Sequence, residues 1–173
     1  MKTVIFNEFN LKESEIERVE TRLKVFMLDS DENISFARAF GGIQLPGGHL
    51  EDGENYIEAL KREIKEEVGI LLEDSEISLP FFEIKKYIKN YNNTNKNKIN
   101  QNVYYIVHTD KKYNPSNINL TEDEKRGRLI IDKIKLNKFE EAIKENMATN
   151  PDEGCVNIEK ETLLAYEEFK KLI

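Results

Sequence analysis

The stretch from Gly48 to Ile70 constrains this chain more than any other part of it. It reads GHLEDGENYIEALKREIKEEVGI, a glycine-containing loop followed by a helical pattern. Apolar residues recur at spacings of three and four, which predicts an amphipathic helix over about residues 54–68. Gly69 predicts where that helix ends. The apolar positions are Ile57, Leu60, Ile64 and Val68.

A second stripe of the same helix carries Glu63, Glu66 and Glu67. Residues three and four apart lie on one helix face, so these carboxylates converge and repel each other. A cation relieves that repulsion, and hard oxygen ligands suit Mg²⁺ or Mn²⁺. Arg62 can pair with one carboxylate and fix its orientation. Taken alone, the stripe is also typical of a solvated acidic helix face.

The spacing of the fixed positions favours the metal site over the solvated face. The stretch resembles the signature of the Nudix hydrolases and matches it at each specified position. The resemblance implies an α/β/α sandwich around a mixed β-sheet, with the signature forming a loop–helix–loop on it. The matching positions are Gly48, Glu54, Arg62, Glu63, Ile64, Glu66, Glu67, Gly69 and Ile70.

The resemblance also implies an activity. Similar proteins hydrolyse a phosphoanhydride bond in a nucleoside diphosphate linked to another moiety. Their metal is Mg²⁺ or Mn²⁺, and its ligands correspond here to Glu63, Glu66, Glu67 and the backbone carbonyl of Gly47. Glu66 or Glu67 would take a proton from the attacking water. Residues that hold the motif in place would be Arg62, Glu54, Gly48 and Gly69.

Three further groups outside the signature are candidates by the same resemblance. An acidic turn at Glu122, Asp123 and Glu124 could supply another metal ligand, with Glu122 and Glu124 as the predicted ones; an exposed acidic turn is the alternative. Arg38 could touch the substrate phosphates, and a surface arginine is the alternative. Tyr87 lies where diadenosine polyphosphate hydrolases stack a base, although a strand tyrosine is usually packing.

The length, net charge and cysteine count of the chain limit the remaining function classes. A length of 173 residues predicts one domain over residues 1–173. The net charge of −7 argues against nucleic-acid and anionic-membrane partners, but it admits a small nucleotide-type substrate held by a metal. One cysteine and no apolar N-terminal signal core predict a cytoplasmic protein without an internal disulfide. Homodimers are common in similar proteins.

Three rival functions share the fold. A non-catalytic nucleotide sensor is one, and the intact acidic stripe argues against it. An isoprenoid diphosphate isomerase is the second, but the surroundings of Cys155 do not suggest a protonating role. Action on capped RNA is the third, and the negative net charge disfavours it.

The rest of the chain predicts strands interleaved with helices. Hairpins outnumber βαβ units, which predicts a mixed α/β or α+β domain. Residues 90–102, rich in asparagine, are predicted as a solvated connection. Asn137 is predicted to cap a helix that runs to about residue 147. Strands are predicted over residues 3–9, 19–28, 34–40, 43–45, 102–108 and 128–134, with a further one within 76–91, and a final helix presents Ile158, Thr162, Ala165, Phe169 and Leu172.

Overall fold

A computed structural model describes residues 1–173 as a mixed β-sheet of seven strands with helices on both faces. The strand order is β1-β5-β6-β2-β3-β4, and β7 pairs with the other edge of β3. The strands are β1 (Lys2–Phe6), β2 (Arg18–Leu28), β3 (Asn33–Ala39), β4 (Gly42–Gln44), β5 (Phe82–Ile88), β6 (Lys98–His108) and β7 (Ile130–Lys135). This arrangement confirms the predicted fold class.

Four α-helices complete the domain: α1 (Tyr56–Val68), α2 (Glu122–Arg126), α3 (Leu136–Thr149) and α4 (Glu153–Phe169). Local sequence explains both ends of α1. The side-chain oxygen of Asn55 accepts hydrogen bonds from the N–H groups of Ile57 and Glu58, which satisfies two free donors of the first turn. Gly69 ends the helix with φ +75°, a left-handed conformation that favours glycine.

Alternation along β2 places a core on each face of the sheet. Leu23, Val25 and Met27 pack against α1. Phe26 and Leu28 point the other way, into a core shared with α3 and α4. No helix has the length and apolarity needed to cross a membrane.

The sheet opens between β2 and β3, and this opening locates the site. The two strands pair only at Met27 with Ser35 and at Leu28 with Ile34. In the earlier part of β2, before Met27, the free strand edge binds the segment 46–50 instead. The N–H of Leu23 donates to the carbonyl of Gly48 at 2.9 Å, and the N–H of Val25 donates to that of Pro46 at 3.1 Å. The loop before α1 is therefore attached to the centre of the sheet.

Two details differ from the sequence predictions, those of residues 98–102 and of Asn137. Residues 98–102 are strand rather than connection, because β6 pairs with β2 on one side and β5 on the other over this length. Pairing on both edges outweighs the low strand propensity of asparagine. The strand predicted within 76–91 is confirmed as β5, which begins at Phe82. Asn137 lies inside the first turn of α3, whose N-cap is Lys135 without a side-chain bond.

Candidate active site

Helix α1 directs two of its carboxylates toward the loop that precedes it. Glu63 and Glu67 are one helical turn apart and are only 8% and 4% exposed. The N–H of Gly47 donates to Oε2 of Glu67 at 2.7 Å. The loop and the helix are thus joined at the point where the sheet opens.

Gly47 is required by this close approach. Its φ is +113°, a conformation that side chains rarely adopt, and a Cβ atom there would overlap the backbone carbonyl of Leu23. The absence of a side chain lets the loop lie directly on β2.

Helix α2 brings a third carboxylate to the same place. One oxygen atom from each of Glu63, Glu67 and Glu124 lies within 4.8 Å of the others. Thr121 caps α2 through its hydroxyl, and its N–H donates to Oε2 of Glu124 at 2.6 Å. Glu124 was one of three acidic candidates in the sequence, and the structure brings this one to the cluster.

Arg62 connects the remaining motif residues. Its guanidinium donates to Glu54 at 2.7 and 2.9 Å, to Glu63 at 2.8 Å and to Glu66 at 3.2 Å. It also donates to the carbonyl of His49 at 2.9 Å. Planar, multidentate bonds of this kind fix the orientation of a carboxylate. Arg62 and Glu54 therefore hold the loop and the first turns of α1 in register.

Burial changes the protonation of the acidic cluster. Burial raises the pKa of Glu67 to about 7, against the opposing effects of Lys24 and the Gly47 N–H. Burial also raises the pKa of Glu63, although the hydrogen bond from Arg62 opposes it. The hydrogen bond from Arg62 lowers the pKa of Glu54. Negative charge on Glu63 and Glu67 is thus unfavourable until a further cation binds near them.

Lys24 is a site residue that sequence reasoning missed. It lies on β2, partly buried, and its ammonium donates to the carbonyl of Gly47 and to that of Leu45, the latter at 3.2 Å. Burial lowers the pKa of this ammonium, while the charge of Glu67 raises it. The signal in the sequence was one lysine inside the otherwise apolar run from Leu23 to Leu28.

Other predicted site residues lie outside the cluster of Glu63, Glu67 and Glu124. Glu66 is bonded to Arg62, with its side chain 31% exposed. Glu122 is 90% exposed and pairs with Lys125. Arg38 pairs with Asp132 at 3.2 Å and borders a small surface pocket together with Phe40, Gly41, Arg126 and Arg128.

A cavity of about 350 Å³ lies between the sheet and α4; we call it the α4 cavity. Lys24, which donates to the carbonyl of Gly47, also lines this cavity. The side-chain oxygens of Asn100 and Asn102 are buried there without a hydrogen-bond partner. Tyr87 does not line it, although its neighbours Lys86 and Ile88 on β5 do. The remaining lining residues include Arg22, Gln44, Tyr104, Asn157, Ile158 and Glu161.

The cluster fits a divalent cation of the hard type. All of its donors are carboxylate oxygens, and the carbonyl of Gly47 lies on the adjoining loop. Carboxylates outnumber cationic side chains in this region, so a bound Mg²⁺ or Mn²⁺ would offset their repulsion. Histidine and cysteine, which softer metals prefer, are absent from the cluster.

Comparison with known proteins identifies the family. The NUDIX domain profile matches residues 20–154, which covers the sheet opening, α1 and α2. The chain belongs to the Nudix family. This Nudix protein is therefore a pyrophosphohydrolase, as the resemblance of its signature implied. No curated protein matches the chain in sequence.

Solved structures similar to this Nudix protein share little sequence with it. A MutT protein from Bacillus halodurans is 18% identical, with 70% of this chain and 72% of that chain covered and a TM-score of 0.49. A MutT structure from work on Aliivibrio salmonicida and Vibrio cholerae is 19% identical, with 69% and 80% covered and a TM-score of 0.46. The Ap4A hydrolase of C. elegans is 13% identical, with 89% and 98% covered and a TM-score of 0.44.

Proposed function

We propose that this protein is a Mg²⁺- or Mn²⁺-dependent hydrolase of a nucleoside diphosphate linked to another moiety. Water attacks a phosphorus atom of the diphosphate, and the phosphoanhydride bond breaks. The observation that carries the proposal is the convergence of Glu63, Glu67 and Glu124 beside the Gly47 loop. When bound there, the metal neutralises charge on the phosphoryl oxygens and aligns the water.

The chain's own residues have distinct parts in this proposal. Glu63, Glu67 and Glu124 hold the metal, together with the carbonyl of Gly47. Arg62 keeps Glu63 in place through its 2.8 Å bond. Accurate placement of this kind is the main contribution that a protein makes to phosphoryl transfer.

The proton of the attacking water goes to Glu66 or Glu67. Glu66 is the more accessible of the two, with its side chain 31% exposed and one bond to Arg62. Glu67 is 4% exposed and belongs to the cluster, where a bound cation would favour its ionised, proton-accepting form.

The α4 cavity is proposed to receive the nucleoside. Its position beside Lys24 and Gly47 would set a base in the cavity and the diphosphate at the carboxylates. Asn100 and Asn102 each offer an unpartnered oxygen, and such buried acceptors favour a ligand with N–H donors. The amino and ring N–H groups of a nucleobase are donors of this kind.

A substrate panel tests the proposal directly. Purified protein is incubated with Mg²⁺ or Mn²⁺ and nucleoside triphosphates, diadenosine polyphosphates, ADP-ribose, nucleotide sugars or capped RNA, and the products are separated. We expect selective cleavage that Glu67→Gln, Glu66→Gln and Glu124→Gln each reduce at least about 100-fold. The matched control is Glu122→Gln on the same short helix, which should retain full turnover.

Two outcomes would count against the proposal. Full turnover in both Glu66→Gln and Glu67→Gln would refute the assigned centre. Tight nucleotide binding without turnover at saturating metal would instead indicate the nucleotide-sensor alternative. Cleavage of diadenosine polyphosphates alone would assign that subgroup, although Tyr87 lies outside the α4 cavity.

A further inference from the structure

Lys24 has no carboxylate partner within salt-bridge distance, which is unusual for a buried ammonium. Its polar contacts are the two backbone carbonyls of Leu45 and Gly47. The carboxylates of Glu63, Glu67 and Glu124 nevertheless act on its charge. Lys24 is thus a second cation near this cluster, and the other, Arg62, is already engaged by Glu54, Glu63 and Glu66.

The ammonium and a metal compete for the same oxygen. The proposed centre uses the carbonyl of Gly47 as a ligand, and Lys24 already donates to that carbonyl. A divalent ion and an ammonium on neighbouring positions of one oxygen repel each other strongly in a site with little water. A metal bound at this carbonyl would therefore displace the ammonium from Gly47.

The α4 cavity is where the displaced ammonium can go. Lys24 already lines this cavity, and its flexible stem allows the ammonium to turn while the backbone stays paired in β2. The other side of Lys24 is closed by the segment 46–50, which is bonded to the β2 edge. The cavity lining holds three cations, Arg22, Lys24 and Lys86, but only one anion, Glu161, so an ammonium turned into it needs a further anion.

A phosphate group of the substrate meets that need. Suppose that a nucleoside occupies the α4 cavity while its diphosphate lies at Glu63 and Glu67. A phosphate then lies near Lys24, because Lys24 both lines the cavity and contacts the Gly47 loop. Lysine binds phosphate as a point charge. We propose that Lys24 holds the Gly47 carbonyl in the metal-free protein and, when metal takes that carbonyl, turns into the α4 cavity to bind a substrate phosphate. This inference rests on the proposed function, because it assumes the same metal centre.

The first test measures Mn²⁺ alone by electron paramagnetic resonance, without substrate or turnover. Lys24→Met removes the competing charge and keeps most of the side-chain volume. We expect it to bind Mn²⁺ on the order of tenfold more tightly than the wild type. Lys112→Met, which neutralises an exposed lysine, is the matched control and should bind as the wild type does.

The second test measures inorganic pyrophosphate by calorimetry, with Ca²⁺ as the metal. We expect Lys24→Met to bind pyrophosphate on the order of tenfold more weakly than the wild type, because the phosphate has lost a charged partner. Lys24→Arg should keep most of the affinity. This variant also keeps the proposal testable if the loss of charge impairs folding.

Opposite results would overturn the inference. If Lys24 only anchors the loop, Lys24→Met loosens Gly47 and weakens Mn²⁺ binding. Unchanged pyrophosphate affinity in Lys24→Met would remove the phosphate-binding role. Neither measurement depends on turnover, so a failure of the proposed activity in the substrate panel is distinguished from a failure of this inference.

Discussion

Replacing Glu67 with glutamine is expected to stabilise the metal-free protein at neutral and alkaline pH. Burial raises the pKa of this carboxyl from 4.5 to about 7. Between these values the folded state keeps a proton that the unfolded chain releases, so the free energy of unfolding falls as the pH rises from 4.5 to about 7. Above about pH 7 the carboxyl is ionised in the folded state as well, so this group lowers the free energy of unfolding no further. Glutamine never ionises, and its side-chain oxygen can still accept the N–H of Gly47.

The pKa difference corresponds to ~3 kcal/mol at full effect. Local relaxation and water entry reduce that value, so we expect Glu67→Gln to gain about 1–3 kcal/mol over the wild type at pH 8. At pH 4.5 the two proteins should be almost equally stable, because the wild-type carboxyl is then protonated when folded. The difference in the free energy of unfolding between the two proteins should therefore grow as the pH rises from 4.5 to 8.

Urea denaturation followed by circular dichroism checks this expectation, with EDTA present and at pH 4.5 and 8. Excess Mn²⁺ should then reverse the order at pH 8, since the wild type gains the free energy of metal binding and the variant loses a ligand. Glu122→Gln serves as the control for removal of an exposed carboxylate. A stability difference that is the same at both pH values would refute the reasoning about Glu67.

Three further predictions concern the loop, the core and acid stability. Gly47→Ala should lower the free energy of unfolding by at least ~3 kcal/mol in EDTA, because the methyl group overlaps a β2 carbonyl and φ is +113°; urea titration measures it. Phe169→Ala should lower the free energy of unfolding by ~3–5 kcal/mol, because the buried ring of Phe169 stacks on that of Phe26 with the ring centroids 4.8 Å apart. The Mn²⁺ affinity of the folded protein should stay unchanged. Burial raises the pKa of Glu76, but a backbone N–H and Lys111 outweigh it and hold the pKa at about 2. The wild type should therefore lose ~1 kcal/mol as the pH falls from 4.5 to 2, and Glu76→Gln should not show this part of the loss in acid titrations.

The sequence predicted the parts of the fold that depend on local signals. Helix α1 was predictable because its cap, its apolar stripe and Gly69 all lie within one short stretch. Strand β6 was predicted too short because nothing local distinguishes its asparagines from a loop; pairing with β2 and β5 makes residues 98–102 a strand. Tertiary pairing of this kind has no short-range signature.

In the candidate site too, some residues could be predicted from local sequence and others depend on tertiary structure. Glu63, Glu67 and Arg62 could be named from their spacing, because one helix carries them all. The choice of Glu124 over Glu122 depends on the Thr121 cap and on how α2 meets the sheet. Lys24 was missed because its role comes from a loop that follows it by more than twenty residues.

Helix α2 has a consequence for how this centre can change. It contributes Glu124 from a five-residue helix that has no buried residue, whereas Glu63 and Glu67 are part of the packed helix α1. Substitutions in residues 121–126 alter the third carboxylate without disturbing core packing. The proposed centre thus combines two carboxylates on a packed helix with one on a segment that can be exchanged. Selection, natural or in the laboratory, can vary this short segment and leave the rest of the enzyme intact.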